Sequence, residues 1–429
     1  MHNEHSSTPF HIRTDLLASL ALFCLLAFAV LSPVFTDGSV AGVEAAGEGN
    51  LFRQLVYISI FGIALVCGRP VGVPWRLSVI PVSILLTLAW CALSIGWAIN
   101  PSVGARRLFL TVIVVVSTFL LVDRSGYVRT LKLVRVLMVL VLLSNYVAVV
   151  GWPDWAIHQA TEADPSVVGA WRGVLQQKNF AGAACSLTVL FFLLDAREVR
   201  AIVRWTVTAA AGYFLFRTES KTSMALLAAS AVVGLVSLRY DVRYRNVLLA
   251  VGAVLVLLIA FIVPAYWADI VAPFAREDTL TGRVQIWPPL FQFWREHWLL
   301  GSGFGSFWNI GFPEPIAAYT GGWVAQITSG HNGFLDLVVQ IGLPGLLLAL
   351  CAVIVAPMRV LLTDAGLDRS RRSLLTALVV FGVGHNLTES SLFDRDAAVH
   401  VFLMLAIALL AVETRSASAP ADTLAGATA

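Results

Sequence analysis

Charged residues are scarce in this 429-residue chain: they make up 13% of it, whereas 58% of the residues are apolar. Soluble domains carry about 25% charged residues, and a soluble core cannot accommodate this much apolar surface. A soluble globular protein is therefore excluded. The apolar residues fall instead into runs that approach the ~20 residues a helix needs to cross a bilayer, so the composition predicts an integral membrane protein.

Cysteine is also sparse, and its spacing excludes two common kinds of site. None of the five cysteines is part of a C-x-x-C pair, and all lie in apolar stretches, so neither a disulfide framework nor a zinc site is predicted. A Walker A lysine motif is missing as well. The G-S-G-F-G run at 301–305 follows a helical pattern instead of a strand, which indicates a turn and not a dinucleotide site.

Twelve apolar stretches have the composition of membrane-spanning helices, in which every backbone polar group is satisfied without water. They predict an all-α, single polytopic membrane domain over residues 1–415, followed by a disordered cytoplasmic tail at 416–429. The A-F-A triplet at 27–29 resembles a signal-peptidase site, but the apolar run continues to Val34, which favours an uncleaved span. The stretches are 16–34, 51–68, 77–97, 108–122, 131–150, 180–194, 202–216, 223–238, 247–267, 334–355, 374–387 and 397–412.

The distribution of lysine and arginine predicts the orientation. With the N-terminus in the cytoplasm, 18 of the 29 basic residues fall inside, as the positive-inside rule requires, and both termini are cytoplasmic. Two outer segments, 151–179 and 268–330, are too long to be plain connectors. The second interleaves Trp287, Trp294 and Trp298 with charged residues, which predicts an amphipathic helix at the membrane interface.

Five motifs then occur in order: W-R-G-V-L-Q-Q-K-N at 171–179, E-S-K-T at 219–222, L-T-G-R at 280–283 with Trp287, L-L-G-S-G-F-G at 299–305, and H-N-G-F-L-D at 331–336. The ordered set resembles the bacterial O-antigen ligase and polymerase superfamily of the Wzy and WaaL type, and exopolysaccharide polymerases most of all. The resemblance implies a GT-C-like helical fold in the inner membrane. It also implies transfer of a glycan from undecaprenyl pyrophosphate to an acceptor sugar hydroxyl on the periplasmic face, with inversion and without metal or cofactor.

The implied donor carries a pyrophosphate, so cations are expected to surround it. Arg283 can bind phosphate oxygens with two parallel hydrogen bonds, or can snorkel. Lys221 stands where the resemblance more often has arginine, and can instead pair with Glu219. Lys178 and, more weakly, Arg172 are further candidates. The P-P pair at 288–289 interrupts the amphipathic segment that Arg283 opens and removes backbone donors unless a helix begins there, so the geometry between Arg283 and the helix stays open.

Candidates for proton transfer and acceptor binding lie nearby in the sequence. His331 is the candidate general base, since a neutral imidazole can take the proton of an attacking hydroxyl, and Asn332 beside it is a substrate-binding candidate. Glu389 is a further substrate-binding candidate at membrane depth. Helical spacing also allows Glu389 to bond only to His385, four residues earlier.

Other interpretations stay open at this point. The D-R-D triplet at 394–396 resembles a divalent-metal motif, but it lies in an outer turn, where a solvated turn is favoured and no metal is predicted. The acceptor is either another lipid-linked repeat unit, for a polymerase, or lipid A-core, for a ligase. A transporter of lipid-linked sugars is a third alternative, although no internal repeat supports it. Expected partners are the lipid-linked donor, the glycan acceptor, the bilayer and other polysaccharide export proteins, and no nucleic acid.

Overall fold

The computed structural model describes residues 9–35, 51–68, 78–162, 165–265, 283–311 and 314–418. Within them the fold is all-helical, as predicted, and the only strand-like pairing is an isolated bridge between Ile157 and Trp171. The helices are α1 (Pro9–Phe35), α2 (Leu51–Gly68), α3 (Val82–Ser94), α4 (Pro101–Gly151), α5 (Pro153–Ala156), α6 (Lys178–Leu193), α7 (Ala201–Thr218), α8 (Lys221–Ser237), α9 (Arg245–Ala265), α10 (Arg283–Glu296), α11 (Gly333–Leu350), α12 (Ala356–Thr363), α13 (Arg369–His385) and α14 (Ala398–Ser418).

The predicted apolar stretches coincide with these helices wherever the structure describes them. Among the described residues, five helices are long and apolar enough to cross a membrane, or six if α8 and the helix after it, bent by 111°, count as one span. The chain is a multi-pass membrane protein, and the count of twelve spans stays a prediction. α14 continues to Ser418, three residues into the predicted tail, and residues 419–429 lie outside the described part.

The long helix α4 consists of two legs that meet at Gly126, whose φ of 71° and ψ of 169° are non-helical. Glycine tolerates a positive φ that a Cβ would strain. Arg107 in the first leg donates to the carbonyls of Gly305 and Trp308, while Asn145 in the second accepts from the Val174 amide. The legs therefore correspond to the two stretches predicted at 108–122 and 131–150.

Arginines bond backbone carbonyls and carboxylates near the Gly126 turn, in a region we call the arginine-capped end. Arg204 donates to the carbonyls of Phe192 and Leu193 at the C-terminus of α6, where the last helical carbonyls have no partner within the helix. Ion pairs link the neighbouring helices: Arg124 with Asp15, Arg415 with Asp123, and Arg371 with Glu413. These arginines all belong to the set predicted to be cytoplasmic.

The helix α10 begins at Arg283, the residue expected to open the amphipathic segment, and continues through Pro288 and Pro289. Each proline lacks the N–H that would otherwise bond to the carbonyl four residues earlier, so packing has to stabilise the helix at this point. The buried face of α10 packs Ile286, Leu290 and Phe293 against α11. Arg283 is thereby held at the first position of a packed helix.

Candidate active site

Glu389 lies at the centre of a polar cluster, which is at the end of the molecule away from the arginine-capped end. Its Oε1 accepts from Arg283 Nη2 at 2.5 Å and from Asn179 Nδ2 at 2.7 Å, and its Oε2 lies 3.4 Å from His331 Nδ1. The Arg283 and Glu389 side chains are about one-tenth exposed. The Glu389 carboxylate is therefore paired with a cation and hydrogen-bonded, as a buried charge requires.

Burial alone would raise the pKa of Glu389, but the hydrogen bond with His331 and the charge of Arg283 outweigh it and lower the pKa. The carboxylate is therefore ionised at neutral pH and holds the guanidinium by charge as well as by hydrogen bonding. The alternative that Glu389 and His385 bond each other through their side chains is wrong. The Glu389 amide donates to the His385 carbonyl at 3.0 Å, but the His385 ring has no hydrogen-bond partner among the described residues.

His331 occupies a strained backbone position, with a φ of 47° in the left-handed region. Non-glycine residues rarely adopt this conformation, and such positions cluster at functional sites. The side chain is 39% exposed, so one edge of the imidazole reaches Glu389 while the rest is open to a ligand. The geometry suits a base that is oriented on one side and accessible on the other.

Asn332 caps the helix that follows His331. Its Oδ1 accepts from the amides of Phe334 and Leu335, and its Nδ2 donates to the Leu387 carbonyl. Asparagine is a favoured N-cap for this reason. Gly333 completes the arrangement, because a Cβ there would lie 2.1 Å from Asn386 Oδ1. The side chain of Asn332 therefore joins α11 to the residues after α13, and its predicted substrate contact stays a prediction.

The predicted cations share one cavity of about 670 Å³, which we call the cationic cavity. Four basic side chains line it against two carboxylates, Glu162 and Glu219, and His331 stands at its border. Cavities of this size hold small-molecule ligands in other proteins. The basic side chains are Arg172, Lys178, Lys221 and Arg283.

The four cations differ in how they are held. Arg283 pairs with Glu389, and Arg172 pairs with Glu162 at 3.2 Å and donates to the Trp155 carbonyl. Across the part of the chain that the structure describes, neither Lys178 nor Lys221 has a carboxylate within 4.0 Å. The expected alternative pair between Lys221 and Glu219 is therefore wrong. Glu219 has a left-handed φ of 54° and ends α7, so the chain turns sharply between the two residues.

A second cavity, of about 640 Å³, meets the cationic cavity at Gln176, Gln177 and His331, which line both. Its polar part includes Asp394 and Asp396. Asp396 is 5% exposed and pairs with Arg53 at 2.5 Å, while Asp394 pairs with Arg395. The prediction of a solvated turn at 394–396 is thus wrong for Asp396, because Arg53 at the start of α2 covers it.

Several residues of this region were not anticipated from the sequence. Arg53 lies more than 300 positions from its partner Asp396, and no local pattern links them. Ser220 donates to Asn179 Oδ1 at 3.1 Å and so orients the amide that reaches Glu389. His158, bonded to Glu162, lines the cationic cavity. The five ordered motifs contain two of these residues, Asn179 at 171–179 and Ser220 at 219–222, but gave neither of them a role.

Known proteins resemble this chain over part of its length. Residues 206–350 match a family model described as O-Antigen ligase, Wzy_C, a range that contains Lys221, Arg283 and His331. The chain is also 27% identical over 226 residues to the Exopolysaccharide production protein ExoQ of Rhizobium meliloti (strain 1021), a match over 49% of this chain and 51% of the relative. The chain thus spans about half the length of the curated relative it matches. Both matches confirm the resemblance to the O-antigen ligase and polymerase superfamily that the ordered motifs predicted.

Proposed function

We propose that this protein is an inner-membrane glycosyltransferase that polymerises undecaprenyl-pyrophosphate-linked repeat units into a surface polysaccharide. The observation that carries the proposal is the meeting of the two cavities at His331, with Arg283 bound to Glu389 beside it. A transferase needs a place for an anionic donor, a place for an acceptor, and a base between them. The cationic cavity, the second cavity and His331 match these needs.

The reaction follows from these positions. The acceptor hydroxyl loses its proton to His331 as its oxygen attacks the anomeric carbon of the donor glycan, forming the new glycosidic bond. The bond between that carbon and the pyrophosphate oxygen breaks, and the pyrophosphate leaves with the electron pair. Attack opposite the leaving group inverts the anomeric centre.

Arg283 and the lysines stabilise the leaving group. A guanidinium that already donates to Glu389 is fixed in direction and keeps further N–H groups for phosphate oxygens, so little reorganisation is needed as charge develops. Lys178 and Lys221 add positive charge, and neither has a carboxylate within 4.0 Å among the residues that the structure describes. These cations take the electrostatic role that a divalent ion has elsewhere, and the reaction is proposed to be metal-independent.

The orientation is proposed from the same arrangement. Nucleotide-activated sugars are not available outside the cytoplasm, whereas a lipid-linked donor arrives there already activated. The cavities lie away from the arginine-capped end, whose basic residues belong to the cytoplasmic set under the positive-inside rule. Reporter fusions within 237–245 should be cytoplasmic and fusions within 283–330 periplasmic. Opposite compartments would contradict the proposed placement.

Purified protein in lipid nanodiscs tests the activity itself. Given undecaprenyl-pyrophosphate-linked repeat units, it should yield a ladder of longer lipid-linked glycans without nucleotide, ion gradient or membrane potential. No ladder, together with movement of the lipid-linked sugar across proteoliposomes, would instead support the transporter alternative. His331→Ala serves as the inactive control for contaminating activities.

A ligase is the second candidate, because the matched family model is described as O-Antigen ligase. The Rhizobium relative is named as an exopolysaccharide production protein, which favours polymerisation. A deletion strain separates the two. Loss of polymer with single repeats retained indicates a polymerase, and loss of all glycan attached to lipid A-core indicates a ligase.

A further inference from the structure

The second cavity carries chemistry that proton transfer at His331 does not use. Its polar part is lined by Arg53, His385, Asp394, Arg395 and Asp396, in addition to Glu389 at the border. Its wall on the helix side is apolar. The apolar lining residues are Ala29, Val30, Met138, Leu187, Val399 and Phe402.

Two buried side chains line this cavity. His385 is 2% exposed, and neither ring nitrogen has a hydrogen-bond partner within the described ranges. Asp396 is 5% exposed; its Oδ1 binds Arg53, and its carboxylate also interacts with the hydroxyl of the buried Tyr57. Buried polar atoms are nearly always hydrogen-bonded, and leaving one unbonded is destabilising. A ligand with hydroxyl groups would satisfy the His385 ring and could add a hydrogen bond to the Asp396 carboxylate.

The two cavities differ in charge. The cationic cavity has four basic side chains against two carboxylates, whereas the second cavity has three carboxylates, Glu389, Asp394 and Asp396, against two guanidiniums. The charges of Arg395, Arg53 and Arg107 outweigh burial and lower the pKa of Asp394, so it too is ionised at neutral pH. A pyrophosphate is therefore repelled from the second cavity relative to the first.

We propose that the second cavity binds the acceptor glycan by its sugar rings, which carry no phosphate, and that His385 and Asp396 form hydrogen bonds with the sugar hydroxyl groups. The inference rests on the proposed function and adds the residues that recognise the acceptor. Carboxylates accept from sugar hydroxyls, guanidiniums donate to them, and the apolar wall accommodates the C–H faces of the rings. The attacking hydroxyl then reaches His331 from one cavity while the donor lies in the other.

Arg53 is the positioning residue in this arrangement. Its bond to Asp396 Oδ1 fixes the carboxylate at the cavity wall, much as Glu389 fixes Arg283. The D-R-D triplet is thus interpreted as a sugar-binding element whose acidic residues are balanced by Arg53 and Arg395.

The test measures two affinities for the full-length protein in nanodiscs. One probe is the single repeat-unit oligosaccharide released from the strain's own polysaccharide, free of phosphate and lipid. The other is undecaprenyl pyrophosphate without sugar. Asp396→Asn and His385→Phe should each weaken oligosaccharide binding about 10-fold or more, the effect of losing one hydrogen bond to a charged or buried group. Binding of the pyrophosphate should stay within about twofold, since neither side chain lines the cationic cavity.

Matched variants complete the design. Lys221→Ala should show the reverse pattern, with weaker pyrophosphate binding and unchanged oligosaccharide binding. Asp123→Asn is the control. It removes the carboxylate that pairs with Arg415 at the arginine-capped end, and it should change neither affinity. His385→Phe keeps a ring of similar size and should therefore fold. If Asp396→Asn fails to fold, oligosaccharide binding by His385→Phe tests the proposal.

Unchanged oligosaccharide binding in folded His385→Phe protein would overturn the proposal, as would equal loss of both ligands. Failure of the proposed function has a different signature. In that case the wild-type protein neither binds undecaprenyl pyrophosphate nor lengthens lipid-linked glycans, whatever the oligosaccharide does.

Discussion

The two ends of the molecule use arginine in different ways. At the arginine-capped end, Arg135 and Arg204 donate to the last carbonyls of α6, and Arg371 pairs with Glu413, so their hydrogen-bonding groups serve helix termini and helix contacts. At the cavity end, Arg283 is held by one carboxylate and still lines a cavity. An arginine whose partners are backbone carbonyls stabilises the fold, whereas one oriented by a carboxylate beside open volume can bind an anion.

The largest expected effect concerns His331. Replacing it with alanine should lower turnover by ~10² to 10⁴, the range for a missing general base, and leave donor affinity nearly intact. The measurement is the glycan transfer rate beside the affinity for undecaprenyl pyrophosphate. His297→Ala is the control, because His297 stacks on Phe293 with ring centroids 4.3 Å apart and lines neither cavity. Normal turnover in His331→Ala would make the imidazole structural.

The second prediction compares two buried glutamates. Glu389→Ala leaves Arg283 buried without its partner and should lower the free energy of unfolding by about 3–5 kcal/mol, as for other broken buried pairs. It should also weaken donor binding, because the guanidinium loses its orientation. Glu413→Ala, whose partner Arg371 is one-third exposed, should cost less stability and leave donor binding unchanged. Equal effects of the two variants on donor binding would contradict the contrast between the ends.

Lysine in place of Arg283 should have a smaller effect. Arg283→Lys keeps the charge but loses the planar fork, so donor affinity should fall about 10-fold, as expected when one charge-assisted hydrogen bond of about 1.5–3 kcal/mol is lost. Arg371→Lys at the arginine-capped end should leave donor affinity as it is. Full activity of Arg283→Lys would show that charge alone suffices at this position.

The pH dependence of the Arg283 and Glu389 pair should be slight above pH 5. The folded-state pKa of Glu389 is lowered, so the stability it contributes is present above the ordinary pKa of glutamate, about 4.3, and is lost as pH falls through the lower folded value. Binding of undecaprenyl pyrophosphate followed from pH 8 to pH 5 in the wild-type protein, which keeps the His331 hydrogen bond to Glu389, checks this. A loss of binding above pH 5 would contradict the assignment.

The smallest expected effect is that of chelation. Activity should survive excess EDTA, because the acidic residues of the D-R-D triplet are paired with Arg53 and Arg395 instead of being left for an ion. The transfer rate before and after chelation is the measurement. Activity that EDTA removes and magnesium or manganese restores would turn Asp394 and Asp396 into metal ligands.

The helices and several site residues could be predicted because their signals are local. Apolar runs give α2 to the residue, whereas α1 begins seven residues before its predicted stretch and α14 ends six residues after its own; glycine at 126 separates two runs that the structure also separates. The motifs pointed to Lys178, Lys221, Arg283 and His331, which share one cavity. The sequence left open how α10 accommodates its two prolines, because the packing of Ile286 and Leu290 on α11 that outweighs their helix-breaking tendency is a tertiary contact.

The sequence by itself determined that this protein lies in a lipid bilayer and where its charged residues stand along the chain. Both follow from hydropathy and from the distribution of basic residues, which do not depend on tertiary contacts. Only the tertiary structure decided which carboxylate pairs with which cation. The Glu389 carboxylate is bonded to Arg283 and not to the His385 ring, the Asp396 carboxylate is bonded to Arg53, and Lys221 is bonded to no carboxylate among the described residues. Pairing energies fall off over a few ångströms, so partners more than 100 positions apart become determined only when the helices pack.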